Sequence, residues 1–142
     1  MAGAEYRAQV KWIEGLQFVA RGLGSETAIV LDGAVENGGL GQGLRPFEAL
    51  LSAMAGCSAM DVVLILQKMR QEVTGLTVNV VGERGEEHPR PLVRATIEYV
   101  VRGQGLSPQA VERAVRLSQT KYCGVIASLK TEVQATYRVE EG

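Results

Sequence analysis

The segment Pro46-Phe47-Glu48-Ala49-Leu50-Leu51-Ser52-Ala53-Met54-Ala55-Gly56-Cys57-Ser58-Ala59-Met60-Asp61-Val62-Val63 reads as the opening of one long apolar helix. Pro46 suits the first helical position, where its missing N–H costs nothing. Glu48 falls in the first turn, where the helix dipole favours an anion. The helix is expected to run to about Gln71, with Lys68 and Arg70 near its carboxyl end, and at about 1.5 Å per residue it is about 40 Å long. Between Ala49 and Leu66 the only charge is Asp61, so the length approaches that of a membrane span. A mid-bilayer Asp costs roughly 2.5–3.5 kcal/mol, and Ser52, Gly56 and Ser58 dilute the apolarity. A helix buried all round, by sheet or by a second subunit, is the expectation.

Outward from this helix, Glu36-Asn37-Gly38-Gly39-Leu40-Gly41-Gln42-Gly43 precedes it as a glycine-rich loop. A phosphate cradle needs a helix opening at the last glycine, usually with Lys-Ser or Lys-Thr. Here Leu44-Arg45-Pro46 follows, so a flexible connection free to lie over a site is expected. Further upstream, Tyr6, Ala8, Val10 and Trp12 alternate with Arg7, Gln9 and Lys11, the period of a half-buried strand. Strands over 16–20 and 27–31 follow, with turns at Glu14-Gly15 and Asp32-Gly33.

Downstream, strands are predicted over 76–81 and 92–102, joined by an exposed connection over 82–91 that holds His88. Ser107-Pro108 caps a helix ending near Thr120, with Val111, Ala114, Val115 and Leu117 on its apolar face. A short helix from about Tyr122 carries Cys123, Ile126 and Leu129, and a last strand spans 132–139. The whole reads as a single α+β domain over residues 1–142, a usual length for one core.

The net charge of −1 offers phosphate backbones and anionic lipid no long-range attraction, which argues against nucleic acid or a membrane surface as partner. Met1 to Trp12 lacks the basic start and apolar run of a signal peptide, and a cytoplasmic location is expected. With two cysteines in 142 residues, reduced thiols are expected over a structural disulfide.

A thiol reacts as its thiolate, so the surroundings of each cysteine decide its chemistry. Cys57 lies too deep in the helix for the amino-terminal dipole to help, and burial alone raises its pKa. It needs a cation from elsewhere in the fold, an arginine by preference. Cys123 sits near a helix start, with Lys121 two residues before it. The plain alternative is that both are core cysteines. Asp61 lies one turn beyond Cys57 on the same face; it is read as ordering a basic partner or accepting a hydrogen bond from another chain, or as a capping or salt-bridging acid at a dimer seam. One His and two Cys so far apart make no zinc site, and no metal or cofactor is expected.

Two motifs carry a family likeness. Pro46-Phe47-Glu48-Ala49-Leu50-Leu51 with Ala55-Gly56-Cys57-Ser58-Ala59-Met60-Asp61-Val62-Val63, and Tyr122-Cys123-Gly124-Val125 with Leu129, resemble the signatures of the OsmC/Ohr family. The likeness extends over nearly the whole chain. It implies an α+β OsmC-like fold, a curved antiparallel sheet wrapped around central helices in an intertwined homodimer, with sites at the subunit interface. It also implies a thiol peroxidase acting on organic hydroperoxides in a stress response. Cys57 would attack the peroxide, Cys123 would resolve the sulfenic acid as a disulfide, and a dithiol such as dihydrolipoamide would reduce that disulfide.

In the best-known peroxidases of the family, an arginine on the second strand and a glutamate directly after the proline hold the thiolate. Here Phe47 follows Pro46, and Glu48, one residue later, is about 180° around an ideal helix from Cys57. Arg21 is the arginine nearest the second-strand position, with Arg45 or a partner's arginine as substitutes. The candidate catalytic set is therefore Cys57, Cys123, Arg21 and Glu48. The main alternative is a non-peroxidase member that binds an apolar or thiol-containing small molecule at the dimer interface. A purely structural or regulatory partner is the third reading.

Overall fold

A computed structural model describes residues 3–142, and the chain clusters into two compact units, residues 1–50 and 51–142. The opening residues Met1 and Ala2, part of the segment read above for a leader, lie outside the described residues.

The first unit is an antiparallel three-stranded sheet in the order of the chain: β1 (Ala8–Glu14), β2 (Gln17–Gly22) and β3 (Ala28–Leu31). The β1–β2 hairpin turns at Gly15, which takes φ +54°, and its carbonyl accepts the Trp12 indole N–H at 2.9 Å. The alternation that predicts β1 is real, but it does not bury one face in the single chain: Val10 is 56% exposed and Trp12 62%.

The glycine-rich loop is more tightly tied than a free connection. Buried Asp32 accepts N–H groups from Gly33 at 2.7 Å, Leu40 at 3.2 Å and Gln42 at 3.2 Å. Amides that could cradle a phosphate are thus held by the chain's own carboxylate. Gly39 lies so close to Gly33 that an added Cβ would sit 2.0 Å from the Gly33 carbonyl oxygen, so no side chain fits there.

The long helix α1 spans Pro46–Lys68, and its first turn closes with the first unit. Glu48 accepts the Arg45 backbone N–H at 2.8 Å, satisfying one of the amides that every helix start leaves without an intrahelical partner. Within the second unit the helix buries a stripe, Met54, Ala55, Ser58, Val62 and Leu66, at the i, i+4 spacing of one face. The opposite face is open: Met60 is 70% exposed and Leu64 56%. Burial all round, as expected from the sequence, is therefore not achieved within one chain. By length and composition alone α1 could also cross a membrane, but its buried stripe belongs to a protein core.

That core is built on a second three-stranded sheet, in the order β4 (Glu72–Arg84), β5 (Leu92–Gln104) and β6 (Glu132–Glu141). β4 and β5 are antiparallel; β6 runs parallel to β5. A parallel neighbour requires a crossover, which is supplied by α2 (Pro108–Leu117), a single π-type turn over Ser118–Tyr122, and the short α3 (Gly124–Ala127). Ser107 caps α2, its hydroxyl accepting the Ala110 N–H at 3.2 Å. The central strand alternates as a sheet face should: Ala95, Ile97, Tyr99 and Val101 are fully buried against Met54, Val62 and Leu66 of α1 and Val111 and Ala114 of α2.

Candidate functional site

Three chemically active side chains converge in the second unit. Cys57 lies on α1, Asp61 is one helical turn beyond it, and Cys123 ends the π turn; their sulfur and oxygen ligand atoms all lie within 4.8 Å of one another. Sequence places Cys57 and Asp61 together through their i, i+4 spacing. The fold adds Cys123 from 66 residues away.

The π turn sets where Cys123 lands. Its N–H bonds the Ser118 carbonyl, five residues back, at 2.9 Å. A wider turn of this kind admits one extra residue and is common beside functional sites. Cys123 then serves as the N-cap of α3, its sulfur accepting the Ile126 N–H at 3.5 Å. The predicted helix start near Tyr122 thus falls one residue past Cys123, with the thiol at its opening.

Both cysteines are free thiols. Cys57 is partly exposed, while Cys123 is 4% exposed. Burial pushes the Cys123 thiol above its ordinary pKa; the Ile126 N–H pulls the other way, and a hydrogen bond to Cys57 and the charge of Cys57 raise it further. With burial and the neighbouring Cys57 both acting against its thiolate, Cys123 favours its protonated form.

Beneath the thiols runs a buried polar chain. Gln119 Nε2 donates to the Tyr99 hydroxyl at 2.5 Å. Ser58 Oγ bonds both Tyr99 Oη at 2.5 Å and Ser118 Oγ at 2.7 Å, and Ser118 donates to Asp61 Oδ2 at 2.9 Å. Each hydroxyl has one proton. Ser118 Oγ also lies 3.4 Å from the Ser58 carbonyl oxygen; with its proton given to Asp61, the shorter contact, Ser58 is left to donate to Ser118 and Tyr99 to Ser58. The chain thus has one direction, from Gln119 to the Asp61 carboxylate. Tyr99 itself is held protonated: burial raises its pKa, the Ser58 and Gln119 bonds lower it, and the nearby Cys123 and Asp61 raise it again. Among the described residues no buried side-chain polar atom lacks a partner.

Asp61 also opens onto a groove of about 370 Å³, floored by Leu64, Ile65 and Leu117 and bearing Lys68 and Arg113. Tyr122, which neighbours Cys123 in sequence, closes one side; Lys121 Nζ lies 5.3 Å from its ring centre.

The other two candidate residues stand in the first unit. Arg21, on β2, reaches Glu26 at 3.8 Å in a half-exposed pair. Glu48 serves the start of α1 as described. His88 is exposed on the connection between β4 and β5 and is not one of the converging groups. Sequence reasoning missed Ser58, Tyr99, Ser118 and Gln119, and also Lys68 and Arg113 as groove residues.

Residues 39–138 match the family model described as OsmC-like protein. Over 134 residues the chain is 42% identical to Protein YhfA of Escherichia coli strain K12, which covers 94% of this chain and 96% of YhfA. A hypothetical protein from Aquifex aeolicus superposes with a TM-score of 0.85 at 30% identity, covering 99% of both chains. An organic hydroperoxide resistance protein OsmC from Legionella pneumophila superposes at 0.71 with 13% identity, again over 99% of both; at that identity the likeness is one of fold. The motif around Cys57, the motif around Cys123 and the architecture between them agree with these matches, and the chain belongs to the OsmC-like protein family.

Proposed function

We propose that the protein reduces organic hydroperoxides with Cys57 as nucleophile and Cys123 as resolving thiol. The observation that carries this reading is the convergence of both sulfurs and the Asp61 carboxylate within 4.8 Å. The Cys57 sulfur bonds to one peroxide oxygen, the O–O bond breaks, and the other oxygen leaves as an alcohol after taking a proton. Cys57 becomes a sulfenic acid. Cys123, held protonated until then, attacks it; a disulfide forms and water leaves. A dithiol then reduces the disulfide by exchange. Asp61 would carry the proton between thiol and leaving oxygen, its carboxylate oriented by the hydrogen bond from Ser118.

Activation needs a positive group beside the sulfur. Lys68 and Arg113, which share the groove with Asp61, are proposed for that role; Arg21, with Glu48, is the family-derived alternative. A second copy of the chain is proposed as partner, covering exposed apolar side chains such as Met60, Leu64 and Trp12.

The test is to mix the reduced protein with cumene hydroperoxide and count free thiols. Loss of two thiols per chain within minutes supports the proposal; retention of both under substrate excess removes it for that substrate class. The groove favours a second reading, binding of an apolar small molecule without turnover, since its volume lies in the range of ligand sites. Ligand affinity unchanged by Cys57→Ser supports that reading over the first.

A further inference from the structure

We propose that Cys57, Asp61 and Cys123 form a binding site for a thiophilic divalent cation of the zinc class, with two sulfurs and one carboxylate oxygen as ligands and a fourth position open. Nothing in the proposed peroxide chemistry requires a metal; the donor set itself points to one.

Zinc binds sulfur at about 2.3 Å and carboxylate oxygen at about 2.0–2.2 Å in tetrahedral geometry, so its ligand atoms stand about 3.5–3.8 Å apart. The three atoms here lie within 4.8 Å of one another. A contraction of about 1 Å therefore completes three corners of the tetrahedron. The site's parts are held from two sides. Cys57 and Asp61 project from one face of α1, a rigid element, and Cys123 is fixed by the closed turn at the start of α3.

The surroundings match what a metal ligand needs. Ligating carboxylates are oriented by hydrogen bonds from behind. Asp61 Oδ2 takes such a bond from Ser118 at 2.9 Å, and Ser118 is fixed in turn by Ser58. Cys57 and Asp61 are partly exposed, so an ion has a way in. Two thiolates and a carboxylate with a doubly charged ion leave one net negative charge, which Lys68 and Arg113 in the adjoining groove offset. Soft sulfur donors select zinc-class ions over magnesium or calcium.

On binding, both thiols lose their protons to solvent, and two metal–sulfur bonds and one metal–carboxylate bond replace waters of the hydrated ion. Each sulfur then gives one lone pair to the ion, which draws off its negative charge, so the occupied site slows oxidation of the cysteines.

Cobalt(II) is the probe, titrated anaerobically into the full chain after reduction and desalting. The expected result is one cobalt per chain, with a thiolate-to-cobalt charge-transfer band in the near ultraviolet and the visible bands of tetrahedral coordination. Zinc is expected to bleach both and to slow alkylation of the two cysteines at least tenfold. Asp61→Asn keeps both thiols and is expected to weaken cobalt binding at least tenfold. Ser118→Ala is expected to weaken it by roughly 10–100-fold, as loss of a group behind a ligand does. The proposal is overturned if the native reduced chain gives no charge-transfer band, or if one cobalt is shared by two chains. It is also overturned if Asp61→Asn binds cobalt as tightly as the native protein. None of these readouts depends on peroxide turnover, so each proposal can fail without the other.

Discussion

Ser118 and Asp61, 57 residues apart in sequence, meet through a hydroxyl-to-carboxylate hydrogen bond of 2.9 Å. It joins the buried polar chain of the core to the partly exposed thiol site. Ser118 has no exposed surface, and neither do Ser58 and Tyr99, so water cannot easily replace a lost partner.

Ser118→Ala removes the acceptor for Ser58 and the donor for Asp61 together. Leaving buried polar groups unpaired costs about 1–3 kcal/mol, and urea unfolding is expected to show a loss of that size. Because Ser58 and Ser118 share one chain of bonds, the double replacement by Ala should cost less than the two single losses added. Strict additivity would show that the serines act separately.

The two cysteines are expected to differ in kind. Cys57→Ser should abolish peroxide-dependent loss of the remaining thiol. Cys123→Ser should leave one oxidation event per chain and accumulate a sulfenic acid at Cys57 that dimedone traps. The reverse assignment, with the sulfenic acid trapped at Cys123, would contradict the preference for the protonated thiol that burial and the neighbouring Cys57 give Cys123.

Much of this site is legible in the sequence because it rests on local rules. The spacing of Cys57 and Asp61 is one helical turn, and Cys123 next to a glycine after a capped helix marks a helix start. The strands of the second unit follow from alternation, since Ala95, Ile97, Tyr99 and Val101 fall on one face. Other features depend on contacts between distant segments. Tyr99 reads as one more core aromatic, and only the fold shows its hydroxyl meeting Ser58 and Gln119. Ser118 reads as the end of a helix, because no sequence pattern marks the π turn that aims it inward. The parallel pairing of β6 with β5 is likewise fixed by how α2 crosses, which periodicity does not record. β1 has its alternation but no burial, since its pattern says that one face is apolar without saying what covers it.

Alkaline pH should weaken the fold through Tyr99 and Cys123. Both have folded-state pKa values raised, by burial first. A raised value means that the folded chain keeps a proton the unfolded chain gives up, so the stabilisation is full below the unfolded pKa and is lost as pH rises through the folded one. The decline should begin near pH 9, where a free thiol titrates, and steepen near pH 10 with the phenol. Tyr99→Phe, less stable at neutral pH for want of its hydrogen bonds, should show a shallower alkaline slope. Melting temperatures at neutral pH and above pH 10 for both proteins give the comparison; parallel slopes would remove Tyr99 as a source.

Acid should act on the opposite unit with the opposite sign. Burial pushes the Asp32 carboxyl upward, but N–H groups of Gln42, Leu40 and Gly33, with the Gln17 side chain, outweigh it and hold the group below its ordinary value. A lowered pKa means that the folded chain favours the ionised form, so its stabilisation is present above the unfolded value of 3.8 and is lost as pH falls through the folded one. Asp32→Asn keeps the size of the side chain but leaves only one carbonyl oxygen for three backbone donors. The variant should therefore melt lower than the native chain at neutral pH, and protease should cut it faster within residues 36–43. The gap in melting temperature should narrow as pH falls below about 3.8, where the native carboxyl also takes up a proton. A gap that stays constant from neutral pH to pH 3 would mean that the carboxylate's charge does not hold the loop, and that shape alone does.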